Sequence, residues 1–152
     1  MITLRFATES DDLDAQISKL QQNFWASHVE VVRGNEALRY DDRNERWRWT
    51  DDKVDWTKEV LAKIKAGPRV VANFHDFLDT EVVGKPYDMR SLAGVEYELI
   101  THRQQKWNCS DFIWIGLCEA GLINQIPIGT WHITPRDLML LAGAIGVLEQ
   151  SS

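Results

Sequence analysis

Apolar and polar positions alternate through "MITLRFAT" (1–8), the period of a half-buried strand. The period then lengthens. In "ESDDLDAQISKLQQN" (9–23) acidic and serine residues precede Leu13, Ile17 and Leu20 at helical spacing, which predicts a helix. "FWASHVEVV" (24–32) is rich in β-branched residues and runs into "RGNE", a glycine-containing turn. "ALRYDDR" (37–43) then predicts the second strand of a hairpin. "NERWRWTDD" (44–52) suits a third strand or an exposed loop.

Further along, "DWTKEVLAKIKAG" (55–67) predicts a helix closed by Gly67, with Val60, Leu61 and Ile64 on its inner face. "PRVVANF" (68–74) predicts a short strand, and "HDFLDTEVVG" (75–84) a short helix ending at Gly84. The stretch 85–107 is the least regular. A helix is expected from Cys109 to Leu122, stopped by Gly121. "QIPIGTWHITPRDLMLLAGAIGVL" (125–148) predicts a connector and then a C-terminal helix, with Thr134 as N-cap and Pro135 in its first turn. No repeat or linker divides the chain, so a single domain over 1–152 is expected.

The hairpin pattern sets a register. If Gly34-Asn35 form a two-residue turn, Arg33 pairs with Glu36 and Val31 with Leu38. Glu30 then meets Arg39, Val29 meets Tyr40 and His28 meets Asp41. Apolar residues face apolar ones and Glu30 faces Arg39. A three-residue loop would substitute Asp42 for Asp41. His28 shares a strand face with Ala26 and Glu30, and a carboxylate across from it could fix its tautomer and stabilise imidazolium.

The Cys109 helix is apolar on every side through Phe112, Ile113, Trp114, Ile115, Leu117 and Ala120, the mark of a buried helix. With Asn108 as N-cap, Cys109 is the first helical residue and Asp111 stands three after the cap. Unpaired N–H groups and the positive end of the helix dipole there favour thiolate over thiol. Buried cysteines are most often inert packing, and Cys118 fits that description. It lies nine residues on, about 180° around the helix. Cys109 needs a base, and of four histidines His28 is the best placed. His75, His102 and His132 are weaker choices. A zinc site from Cys109, Cys118, His102 and His132 lacks paired ligand spacing.

Composition narrows the classes. The 152 residues are 44% hydrophobic and 26% charged, with a formal net charge of −6 and no basic block. That is globular and unsuited to holding phosphates, so no nucleic-acid partner is expected. No apolar stretch is long enough for a membrane span. Two cysteines do not make a disulfide framework. No secretory signal is visible. A cytoplasmic protein with reduced thiols is expected; association with a virion or release by lysis would leave no trace in the sequence.

"SHVEVV" (27–32), "GKPYD" (84–88), "KWNCSDF" (106–112) and "ITPRDL" (133–138) together resemble the circularly permuted branch of the NlpC/P60 papain-like cysteine peptidases. That branch includes YiiX/YebB-type proteins and short phage and prophage proteins. Its histidine strand precedes its cysteine helix, the order found here. The resemblance implies an α+β papain-like fold, a small antiparallel sheet packed on a buried Cys-bearing helix. It implies Cys109 as nucleophile and His28 as general base, with the third polar residue on a following strand, where Asp41 is the register's choice. Tyr87 matches a tyrosine near the site in relatives, accompanied by Asp88, and could assist the backbone in holding the oxyanion. Many relatives carry Cys-Ser-Glu or Cys-Ser-Gly where this chain has Cys-Ser-Asp.

The implied reaction is cleavage of an amide in a peptide or cell-wall stem peptide through an acyl-enzyme, with no metal or organic cofactor. Two other classes stay open: an acyltransferase or thioesterase on the same fold, and a non-catalytic particle-assembly protein. Trp47, Trp49 and Trp56 would suit a binding patch, or would simply cover the core. The oligomeric state is left open.

Overall fold

The computed structural model describes residues 1–8, 25–86, 109–123 and 133–150. Six strands form one antiparallel sheet: β1 (Ile2–Thr8), β2 (His28–Arg33), β3 (Glu36–Asp41), β4 (Arg46–Asp51), β5 (Lys58–Ile64) and β6 (Val147–Gln150), in the spatial order β4-β3-β2-β1-β5-β6. Among the described residues three helices accompany it: α1 (Pro68–Phe77), continued by a π-helical turn over Leu78–Val82, α2 (Cys109–Glu119) and α3 (Pro135–Ile145). The class is α+β, as the sequence predicts. The predicted helix over 9–23 and most of the irregular stretch 85–107 lie outside the described residues.

Strand alternation gives the sheet two unlike faces. One carries Ile2, Leu4 and Phe6 of β1, Val29 and Val31 of β2, Leu38 of β3, Trp47 of β4, and Val60, Ala62 and Ile64 of β5, all buried. The helices close over this face with Phe74, Leu78, Phe112, Ile113, Leu117, Leu138 and Ala142 to make one core. Each such side chain contributes roughly 1.5–3 kcal/mol of burial free energy. On α2, Gly116 brings the helix against Phe74 and Phe77 of α1; a Cβ there would stand 2.9 Å from the Phe74 ring.

Several predicted elements hold. Arg33 pairs with Glu36 and Val32 with Ala37, the register of a Gly34-Asn35 turn, and Gly34 takes the positive φ of 60° that such a turn needs. "NERWRWTDD" supplies a strand, β4, rather than a loop. Helix α2 starts at Cys109, and Gly121 follows it with φ 82°. At α3, Thr134 accepts from the Asp137 backbone N–H while the Asp137 carboxylate accepts from Thr134 N, a complete capping box with Pro135 behind it.

Three predicted elements are corrected. Residues 58–64 form strand β5, not a helix: Val60, Ala62 and Ile64 are buried at every second position, and pairing with β1 overrides the helical preference of Lys, Glu, Ala and Leu. "PRVVANF" opens helix α1 rather than a strand, because Pro68 sets the first helical turn and Val70, Val71, Phe74 and Leu78 recur at helical spacing. The C-terminal helix ends at Ile145, and "VLEQ" returns to the sheet as β6 beside β5.

Candidate active site

The second face of the sheet is built from charge. Arg5 stands directly opposite Glu30 in the β1–β2 ladder, so both side chains project to the same side, with His28 two residues before Glu30. Glu30 is fully buried and receives three partners. Arg5 donates to its Oε1 at 2.5 Å, Arg39 grips both oxygens at 2.9 Å, and His28 Nε2 lies 3.0 Å from Oε2. Asp52 takes a two-pronged bond from Arg5 at 2.7 and 2.6 Å and another from Arg39 at 3.0 Å. Glu59 completes the group 2.7 Å from Arg5 Nε. Over it lies Trp56, stacked on the His28 ring at 5.1 Å and facing the Arg39 guanidinium at 5.7 Å.

Among the described residues, two arginines and three carboxylates leave this face with one negative charge in excess, beside which the His28 ring sits. Burial works to raise the Glu30 carboxyl, but the hydrogen bonds from His28 and Arg39 outweigh it and hold the group at about 2. The Arg5 hydrogen bond lowers Asp52 in the same way, against the opposing effect of its burial. Burial opposes charge on Arg5, but Asp52 and Glu30 raise its guanidinium further.

The expected His28–Asp41 pair is not what the structure shows. Asp41 accepts from the backbone N–H groups of Arg43 and Asn44, from the Asn44 side chain at 2.7 Å and from Arg48 at 3.3 Å. The Asn44 side chain, more than any other partner, lowers its carboxyl. Asp41 thus ties the β3–β4 turn, and the carboxylate at the imidazole is Glu30, on the same strand. The Glu30–Arg39 match foreseen from the register is present as an ion pair.

Cys109 is the first residue of α2. Its thiol, Asn108 and Tyr87 lie outside the described residues. Ser110 and Asp111, the next two residues, are fully buried. One turn in, Phe112 meets the edge of Trp47 at 4.9 Å, and Trp47 pairs with Tyr40 near the end of the hairpin. Because β2 begins at His28 and the hairpin is antiparallel, that is also the end of the sheet that carries His28. The start of α2 and His28 therefore share an end of the sheet. They do not share a face: α2 packs on the apolar side, and His28 projects to the charged side. Cys118 is half-buried, and burial, aided by Glu119, pushes its thiol up.

The three tryptophans considered as a patch are separated. Trp47 is in the core, Trp56 covers the charged face, and Trp49 lies between Arg33 (3.8 Å) and His75 (6.3 Å) while donating to Asp79 at 2.7 Å. His75 belongs to this second group, and burial, then Arg33, lowers its imidazole.

Sequence reasoning found Glu30 and Arg39 but not Arg5, Asp52 or Glu59. A signal for Arg5 was present: it is the lone charge inside the apolar strand "ITLRFAT", as Glu30 is inside "HVEVV". A charge in a buried strand needs a partner, and two such strands adjacent in space supply each other. Among the described residues no cluster of metal ligands occurs, and no helix is long and apolar enough to cross a membrane. Comparison with protein-family models, curated proteins and solved structures gave no match.

Proposed function

We propose that this chain is a cysteine hydrolase of amide or peptide bonds, with a permuted papain-like arrangement of the NlpC/P60 kind. Cys109 is the nucleophile, His28 the general base, and Glu30 takes the orienting role first given to Asp41. The reading is carried by the His28–Glu30 pair: a partly exposed imidazole whose Nε2 is held by a buried, ionised carboxylate. Such a carboxylate fixes the tautomer and stabilises imidazolium. With Nε2 committed, Nδ1 is the nitrogen left to take the thiol proton and return it to the leaving amine. The thiolate attacks the carbonyl carbon, the amine departs with that proton, and water releases the acyl group. Cell-wall stem peptides are the substrate class implied by the resemblance.

A non-catalytic assembly role is the second reading, and one observation favours it. Strand alternation turns His28 away from the face on which α2 packs. Catalysis requires the ring to reach the thiol around the end of the sheet.

Incubation with purified peptidoglycan fragments, read by mass spectrometry with and without an added amine acceptor, tests the proposal. Products of water attack that vanish in Cys109→Ala support the hydrolase. Transfer to the amine marks an acyltransferase. An absence of Cys109-dependent product across the fragments leaves the assembly role.

A further inference from the structure

The two edges of the sheet are finished differently. At the β4 edge, Val83 bridges Trp47, Gly84 N donates to Trp47 O, and Trp47 N donates to Lys85 O, with Arg46 and Arg48 exposed beside them. That edge is covered and charged, the usual protection against strand addition. At the other edge β6 pairs with β5 on one side, and among the described residues no strand pairs with its outer side. The run "LMLLAGAIGVL" (138–148), which spans most of α3 and enters β6, has no polar side chain. Yet Leu140 is 65% exposed, Val147 61%, Leu148 40% and Ile145 37%. Leu140, Gly143 and Ala144 form an exposed stripe at i, i+3 and i+4 on α3.

We infer that this open edge and the exposed stripe of α3 are the interface through which two copies of the chain pair, β6 against β6, into a continuous twelve-stranded sheet. The argument for a second copy is that the edge is complementary to itself. A two-fold axis perpendicular to the sheet leaves each face on its own side, so only residues pointing the same way can stand opposite one another. One such register sets Leu148 against Leu148 and Val147 against Glu149; the next sets Glu149 against Glu149. Two facing carboxylates exclude the second.

In the first register Leu148 lies on the helix-covered side, since it pairs with Ala62 and touches the position of a Gly143 Cβ at 3.5 Å. The α3 stripes of the two copies then flank the axis, apolar against apolar. On the other side, Val147 meets the stem of Glu149, whose carboxylate is held by Lys63 at 2.7 Å. The four exposed apolar side chains offer roughly 300–400 Å² per copy, the size of a functional patch. With the strand backbone and the Gly143–Ala144 surface this approaches about 600 Å² per partner, the low end of specific interfaces, so the dimer is weak and concentration-dependent.

Sedimentation equilibrium of the full chain, up to about 1 mM, tests this. A monomer–dimer equilibrium is expected, with Leu140→Glu and Leu148→Lys each raising the dissociation constant at least about tenfold and leaving circular dichroism unchanged. Leu140 is mostly exposed, so its substitution does not disturb the monomer. Oxidation of Leu148→Cys should give a covalent dimer whose peptide map joins the two substituted positions, because residues paired across the axis lie about 4.5–5.5 Å apart at Cα. A monomer throughout the range overturns the inference, as does a dimer that ignores Leu140→Glu and forms no such cross-link.

Discussion

At the scale of single residues, Glu30 ties the charged face together. Of the described carboxylates there it alone has no exposure, and it holds Arg5, Arg39 and His28 at once. Removing one member of a buried ionic group leaves the others desolvated and short of a partner, so Glu30→Gln should lower stability by about 3 kcal/mol in urea titrations. The pH dependence follows from the depressed carboxyl, at about 2 against an ordinary 4.5. A group lowered on folding stabilises fully above its unfolded value and loses that contribution as pH falls toward the folded one. Stability of the native chain should therefore decline between about pH 4.5 and 2. The decline should be shallower in Glu30→Gln, with Asp52, lowered in the same direction, accounting for part of the remainder. Asp41 gives the contrast. Its carboxylate ties a turn and asparagine keeps an acceptor there, so Asp41→Asn should leave turnover near the native value. Glu30→Gln should reduce it at least about tenfold where peptide cleavage is measured, since the amide cannot stabilise imidazolium as the carboxylate does.

At the scale of elements, Gly146 is the joint between α3 and β6. A Cβ there would stand 2.8 Å from the Lys63 carbonyl oxygen and 3.1 Å from that of Ala142, backbone atoms that cannot step aside. Gly146→Ala should cost about 1–3 kcal/mol and loosen β6 from β5, visible as faster amide exchange in residues 147–150. What the sequence disclosed and what it hid divide along physical lines. The hairpin, the start of α2 and the Thr134 cap are local: a turn dipeptide, an apolar run and a capping box each act within a few residues. Strand β5 is not local. "KEVLAKI" carries the residues of a helix, and only its place beside β1 makes it a strand. The site divides in the same way. The Glu30–Arg39 pair could be read from one hairpin, whereas Asp52 and Glu59 reach the cluster through a loop and a strand that no spacing rule brings together. Register alone points to Asp41, but the turn beside that position claims its carboxylate.

At the scale of the whole molecule, the question is how a sheet with helices on one face and ions on the other could bring an imidazole to a thiol. His28 begins its strand and Cys109 begins its helix, at the same end of the sheet, so a contact would have to form around that end. Alkylation kinetics read this directly. Iodoacetamide at neutral pH should label Cys109 ahead of Cys118, whose thiol burial pushes up. If the His28 ring reaches the thiol, His28→Ala should slow Cys109 labelling about tenfold at pH 7 and remove the imidazole step from its pH–rate profile. Cys118 labelling in the same samples should not change, which controls for a general loosening of the fold. An identical Cys109 profile with and without His28 would mean that the two faces act apart. The charged face would then be a structural lock, Glu30 its keystone, and the assembly role the better account of the chain.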